Sequence, residues 1–182
     1  TMVSINAGEW LIARGQIHAR GGLRDINAYL LGRDGPYLTP GQKAWIGQLR
    51  ERPLHLYRVT DVRPGVGLTL VDELDAQAEP QAVRERSGSL GARPGMLMGA
   101  RIMQVGDATD GHQELSGAIY AFTRLRETQV LTQVRQVLAG AATLRNGAPD
   151  EAAHDARMRQ VNSAIYEDLD LATSGDLGES GQ

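Results

Sequence analysis

Residues 54–74, LHLYRVTDVRPGVGLTLVDEL, carry the reading on which the fold turns. Two runs rich in Leu, Val, Tyr and Thr flank Pro64, Gly65, Val66 and Gly67. There proline presets φ and glycine supplies the positive φ of a tight turn, so the stretch predicts a β-hairpin. Alternation at Leu68, Leu70 and Leu74 marks a half-buried strand. Working downstream, the extended period continues at 80–86, 96–105 and 114–121, with turns at 75–79, 87–95 and 106–111. With 54–63 and 68–74 this makes five short strands. Alternation recurs at Leu115, Gly117 and Ile119, and Gly99 and Gly117 inside the last two strands suggest bulges where a sheet bends to close. The expectation is an α+β chain built on a small five-stranded antiparallel β-barrel, OB-like or SH3-like, over 54–122.

Upstream the period is helical. Leu23, Ile26, Tyr29 and Leu30 predict a short helix over 23–32. Thr39 is an N-cap, Pro40 suits the first helical position and Gln42 completes a capping box, with Trp45, Ile46 and Leu49 as the apolar stripe. Pro53 ends that helix because it lacks the amide hydrogen needed to continue. Beyond the strands, Leu131, Val134, Leu138 and Ala141 define a helix over 123–144. A second follows Asp150 with a stripe at Met158, Val161, Ile165 and Leu169, and the two predict an antiparallel helical hairpin. The organisation is then a helical segment at 1–53, the barrel at 54–122, the helical pair at 123–172 and a disordered acidic tail at 173–182, compact as one domain overall.

The chain has 182 residues, 41% hydrophobic and 23% charged, a net charge of −3 and no cysteine. The last point excludes zinc ribbons, iron–sulfur clusters and redox motifs. No apolar run reaches the roughly 18 residues of a membrane span, and no signal-peptide order opens the chain, which reads as a soluble cytoplasmic protein of bacterial type. Charge is uneven: residues 1–63 hold nine bases against five acids, 64–121 four against eight, and 122–182 six against nine.

Catalytic signatures are sparse. The glycines of the Pro64 turn have strand pattern on both sides, whereas a phosphate-binding loop must open a helix. Ser87, Gly88, Ser89, Leu90 and Gly91 lack the first glycine of a nucleophile elbow and read as a mobile loop. The histidines His18, His55, His112 and His154 form no ligand pair; Asp107, Asp110 and His112 read as a hairpin turn. Asp72 and Glu73 alternate across a strand and so are no acid–base couple. Lys43 reads as a solvated surface residue. No metal and no cofactor is expected.

Four stretches resemble a family. They are LTPGQKAWIGQLRERP at 38–53, LHLYRVTDVRPGVGLTLVDEL at 54–74, VRERSGSLGARPGMLMGARIMQVG at 83–106 and LSGAIYAF at 115–122. In this order they are similar to uncharacterised bacterial proteins catalogued by a SEC-C metal-binding motif elsewhere in their chains. The resemblance implies a small β-module following helices, with no function or catalytic residues to carry over. The SEC-C cysteines are absent, so the zinc of that motif is not implied.

Three functions are weighed. The first is a non-enzymatic protein-interaction or scaffold module, with a partner or second copy docking on the C-terminal helices at Leu131, Val134 and Leu138. The alternative is a nucleic-acid-binding barrel, with Arg58, Arg84, Arg86, Arg101 and Tyr57 as its contacts. There the basic N-terminal third would contribute Arg14, Arg20, Arg24, Arg50 and Arg52 with Trp10 and Trp45, and Tyr120 is the second barrel aromatic. The third is an enzyme whose site is assembled from distant carboxylates and arginines. No membrane partner is expected.

Overall fold

The structure, a computed structural model, describes residues 2–19, 21–52, 54–107 and 109–143. Along the chain run α1 (Met2–Arg14), β1 (Gln16–Ala19), β2 (Gly22–Asp25), α2 (Ile26–Leu31) and α3 (Pro40–Glu51). There follow β3 (His55–Arg63), β4 (Gly67–Asp72), β5 (Gln81–Arg84), α4 (Gly88–Gly91) and β6 (Leu97–Ala100). The series ends with β7 (Ile102–Val105), β8 (His112–Leu115), β9 (Tyr120–Phe122) and α5 (Arg124–Thr143). Two compact units divide between Phe122 and Thr123.

The hairpin at 54–74 forms as its turn chemistry dictates. Val66 donates its N–H to the Arg63 carbonyl at 2.9 Å, and Gly65 takes φ +75°. Around it the sheet is larger than five strands. Seven strands lie in the order β7-β8-β5-β4-β3-β6-β9, and β1 with β2 makes a separate ribbon. All pairings are antiparallel except β5 with β8, which is parallel. The expected closed antiparallel five-stranded barrel, OB-like or SH3-like, is therefore corrected to an open, curled half-barrel of mixed sheet.

The reason lies in two predicted strands that each change neighbours midway. The run 96–105 breaks at Arg101: β6 joins β3 and β9 near one margin, while β7 joins β8 at the other. The run 114–121 breaks in the same way into β8 and β9. The Ser116 N–H to Arg101 carbonyl bond, at 2.9 Å, ties the two corners together. The concave face holds Val59, Leu68, Leu70, Val83, Met98 and Ala100, with Ile102 joining from the far margin. Each fully buried side chain of this kind stabilises the fold by about 1.5–3 kcal/mol. The bulge falls between Val59 and Asp61 rather than at the glycines. Gly99 keeps regular register opposite Leu56 and Tyr120, and its missing Cβ leaves room for the Tyr120 and Phe122 rings.

Thr39 and Gln42 form the expected reciprocal capping box, with Pro40 at the first turn. The predicted helix at 23–32 is shorter: Leu23 belongs to β2, and Asp25 caps α2 by accepting the Ala28 N–H at 2.8 Å. From α3, Gln48 lays its side-chain amide along the outer margin of β7, donating to the Gln104 carbonyl at 2.8 Å and accepting its N–H at 2.7 Å. Arg52 caps the Ile102 carbonyl beside it at 3.3 Å. Helix α1 was not anticipated. The expected C-terminal helical hairpin is corrected to the single helix α5 among the described residues; its second arm, from Asp150, and the acidic tail lie outside them.

Candidate interaction surface

The side chains singled out for nucleic-acid contact do not share a surface. Tyr57 is buried in the concave core, where burial, then the charge of Asp72, pushes its hydroxyl up to about 12. Arg58 points to the opposite face, donating to Glu73 at 2.9 Å and to the Gly95 carbonyl at 2.9 Å. Arg101 is 3% exposed and pairs with Glu9. Arg84 is level with Gly67 and Arg63, so it stands five residues along β3 from Arg58, roughly 16 Å away.

The N-terminal arginines are occupied within the fold. Arg14 donates to the Arg50 carbonyl, Arg24 pairs with Asp34, Arg50 with Asp25, and Arg52 donates to Ile102. Arg20 lies outside the described residues. Trp45 packs on a small cluster of Ala13, Leu49 and Met103, and Trp10 is half-buried.

A different arginine set gathers at the end of the sheet where the Pro64 turn lies. Arg63, Gly67 and Arg84 are in register across β3, β4 and β5, so the two arginines share a face with a side-chain-free residue between them. Two inter-strand steps separate their backbones by about 10 Å. A Cβ at Gly67 would run into the Val83 carbonyl, so the gap is fixed. Glu85 donates its N–H to the Val66 carbonyl at 3.2 Å. Ser89, 1% exposed in the α4 turn, accepts the Gly65 N–H and donates to the Arg86 carbonyl, both at 2.9 Å. The expected mobile loop at 87–95 is thus stitched to the hairpin turn. On this end Val66 is 56% exposed and Leu90 72%. The side chains of Arg63, Arg84 and Arg86 are exposed and, among the described residues, make no hydrogen bond or ion pair. The sequence reading named Arg84 and Arg86 but missed Arg63. Hairpin register across the Pro64 turn is the signal that pairs Arg63 with this end.

Other polar constellations serve the fold. Glu9, from α1, accepts from Arg101, from the Ser116 hydroxyl at 3.0 Å, and from the N–H groups of Gly117 and Ala118. It supplies acceptors to the corner between β8 and β9, which has no ladder partner of its own. Burial raises its carboxyl above the ordinary value against the pull of those donors. At the rim, His55 Nδ1 lies 3.1 Å from the Asp72 carboxylate. Burial alone would raise Asp72, but the His55 bond and the Leu74 N–H outweigh it and the carboxyl is lowered. The Asp107 turn is a closed loop. Bonds from Thr109, first its hydroxyl and then its N–H, with the Asp110 N–H, bring its carboxyl down to about 2. Among the described residues no cluster of histidine and carboxylate side chains is arranged to hold a metal, and no helix is long and apolar enough to cross a membrane.

On α5, Leu131 and Val134 are buried; the side chain of Leu138 lies outside those described. No family model, no curated protein and no solved structure matches this chain.

Proposed function

We propose that the chain is a non-enzymatic interaction module whose contact surface is the arginine-bearing end of the sheet. One observation carries the reading. The side chains of Arg63, Arg84 and Arg86 stand exposed and unpartnered at the end that carries exposed Val66 and Leu90, while the arginines elsewhere on strands and helices of the first unit are largely satisfied internally. Unpaired cations beside aliphatic side chains on a braced loop pair are suited to an anionic partner with apolar groups.

Retention on a heparin column, a polyanion of fixed composition, tests the surface. The triple variant Arg63→Gln, Arg84→Gln, Arg86→Gln, which places no carboxylate opposite Glu114, is expected to elute at much lower salt than the wild type with a little-changed melting temperature. The control makes the same charge change at Arg33, Lys43 and Arg124, which are also exposed and unpartnered. Equal loss in both triples would show bulk charge rather than a site and end the proposal.

A further inference from the structure

We infer that the partner at this end is an acidic polypeptide segment in extended form, with aliphatic residues interleaved among its carboxylates. The inference rests on the reading of the arginine end as a binding surface and adds the chemistry of its occupant.

Geometry favours a strand-like ligand. Arg63 and Arg84 flank Gly67, which is buried against the Val83 carbonyl and has no side chain to project between the two cations. Alternate residues of an extended chain recur about every 6.6 Å on one face, so two flexible arginine stems can each meet a carboxylate across that gap. The intervening residues of the ligand point the other way, and the two exposed aliphatic side chains of the tip, Val66 and Leu90, offer them cover. The link from Gly65 to Ser89 holds the loops that carry these two side chains against each other. An arginine guanidinium grips a carboxylate through two parallel hydrogen bonds, and the apolar contact adds what charge alone cannot, preference among acidic sequences.

Charge and composition disfavour the other polyanions. Single-stranded nucleic acid is held by stacking on exposed aromatics, whereas no residue of 61–67 or 82–96 is aromatic and Tyr57, Tyr120 and Phe122 are buried. An extended anionic surface, such as a membrane, meets the field of the whole molecule, and the net charge of −3 opposes its approach. A short peptide meets only charges within about 8 Å at physiological salt. There Arg63, Arg84 and Arg86 stand with two carboxylates. Glu85 accepts from the Ser87 hydroxyl and the Gly88 N–H, and Glu114, opposite Arg84, is engaged by His112.

The test measures binding of the full chain to four probes. These are a fluorescent peptide alternating aspartate and leucine, the same peptide with serine for leucine, an oligothymidylate of equal charge, and phosphatidylserine vesicles. The leucine peptide is expected to bind about fivefold more tightly than the serine peptide, the difference that partial burial of one aliphatic side chain supplies. Val66→Ser with Leu90→Ser is expected to level the two peptides, and the arginine triple variant to abolish both. Equal affinity of the peptides in the wild type overturns the inference. So does tighter binding of the oligonucleotide or the vesicles, while leaving the surface itself standing. Absence of heparin retention instead removes the underlying reading.

Discussion

Glu9 ends up as the acceptor for four donors at the corner where two strands change neighbours, and its removal should therefore cost more than the loss of one ion pair. Breaking a buried pair by deleting one partner costs about 3–5 kcal/mol. Arg101→Met is expected to lose about 3 kcal/mol in urea denaturation. Glu9→Ala should lose more, because the Ser116 hydroxyl and the Gly117 and Ala118 N–H groups are orphaned with it. A smaller loss for Glu9→Ala would show that the backbone donors find other acceptors. Acid titration separates two carboxylates of opposite sign. The folded state holds Asp72 below its ordinary value of 3.8, so its contribution is complete above that pH and fades as pH falls through the lowered value. Glu9 is raised, so its proton is held longer in the folded state and its contribution declines as pH rises through the carboxylate range. The melting-temperature gap between wild type and Asp72→Asn is expected to be open at neutral pH and to close in strong acid. A gap that persists undiminished below the ordinary carboxylate range would contradict the assignment.

Local chemistry was legible wherever a few adjacent residues decide an element. The box of Thr39 and Gln42 and the turn of Pro64 and Gly65 read directly, because each satisfies its own backbone groups. Thr39→Ala should cost about 1 kcal/mol of stability, measured by chemical denaturation. Helix α1 escaped notice because its faces are inverted: Asn6, Glu9 and Ala13 are buried while Ile5 and Leu11 are exposed. A periodicity search seeks the opposite arrangement. The break at Arg101 was equally invisible, since apolar residues continue on both sides and only the identity of the partner strand changes. Arg101 itself looked like a surface cation because the carboxylate that neutralises it is 92 residues away. The candidate surface was half legible for the same reason. Arg84 and Arg86 stand out on their own segment, but Arg63 joins them only through pairing with Gly67.

At the scale of the whole molecule the half-barrel is unevenly knit. The seam between β5 and β8 has a single paired position, Arg84 with Glu114, backed by a Gln113 to Gln81 side-chain bond at 3.3 Å. The central pairs of β3 with β4 and β6 are far more extensive. Hydrogen exchange is accordingly expected to show β7 and β8 opening together before β3 and β4, since local stability follows the backbone bonds that must break. Equal protection across the sheet would refute this seam. Because an unclosed sheet leaves a margin able to recruit further strands, the Gln48 amide lying along β7 acts as a molecular end-stop. Without it, the Gln104 N–H and carbonyl would be left unpaired on that margin, which is the pattern that another strand can pair with. The consequence is colloidal: Gln48→Ala is expected to lower the concentration at which the protein begins to self-associate, as measured by light scattering.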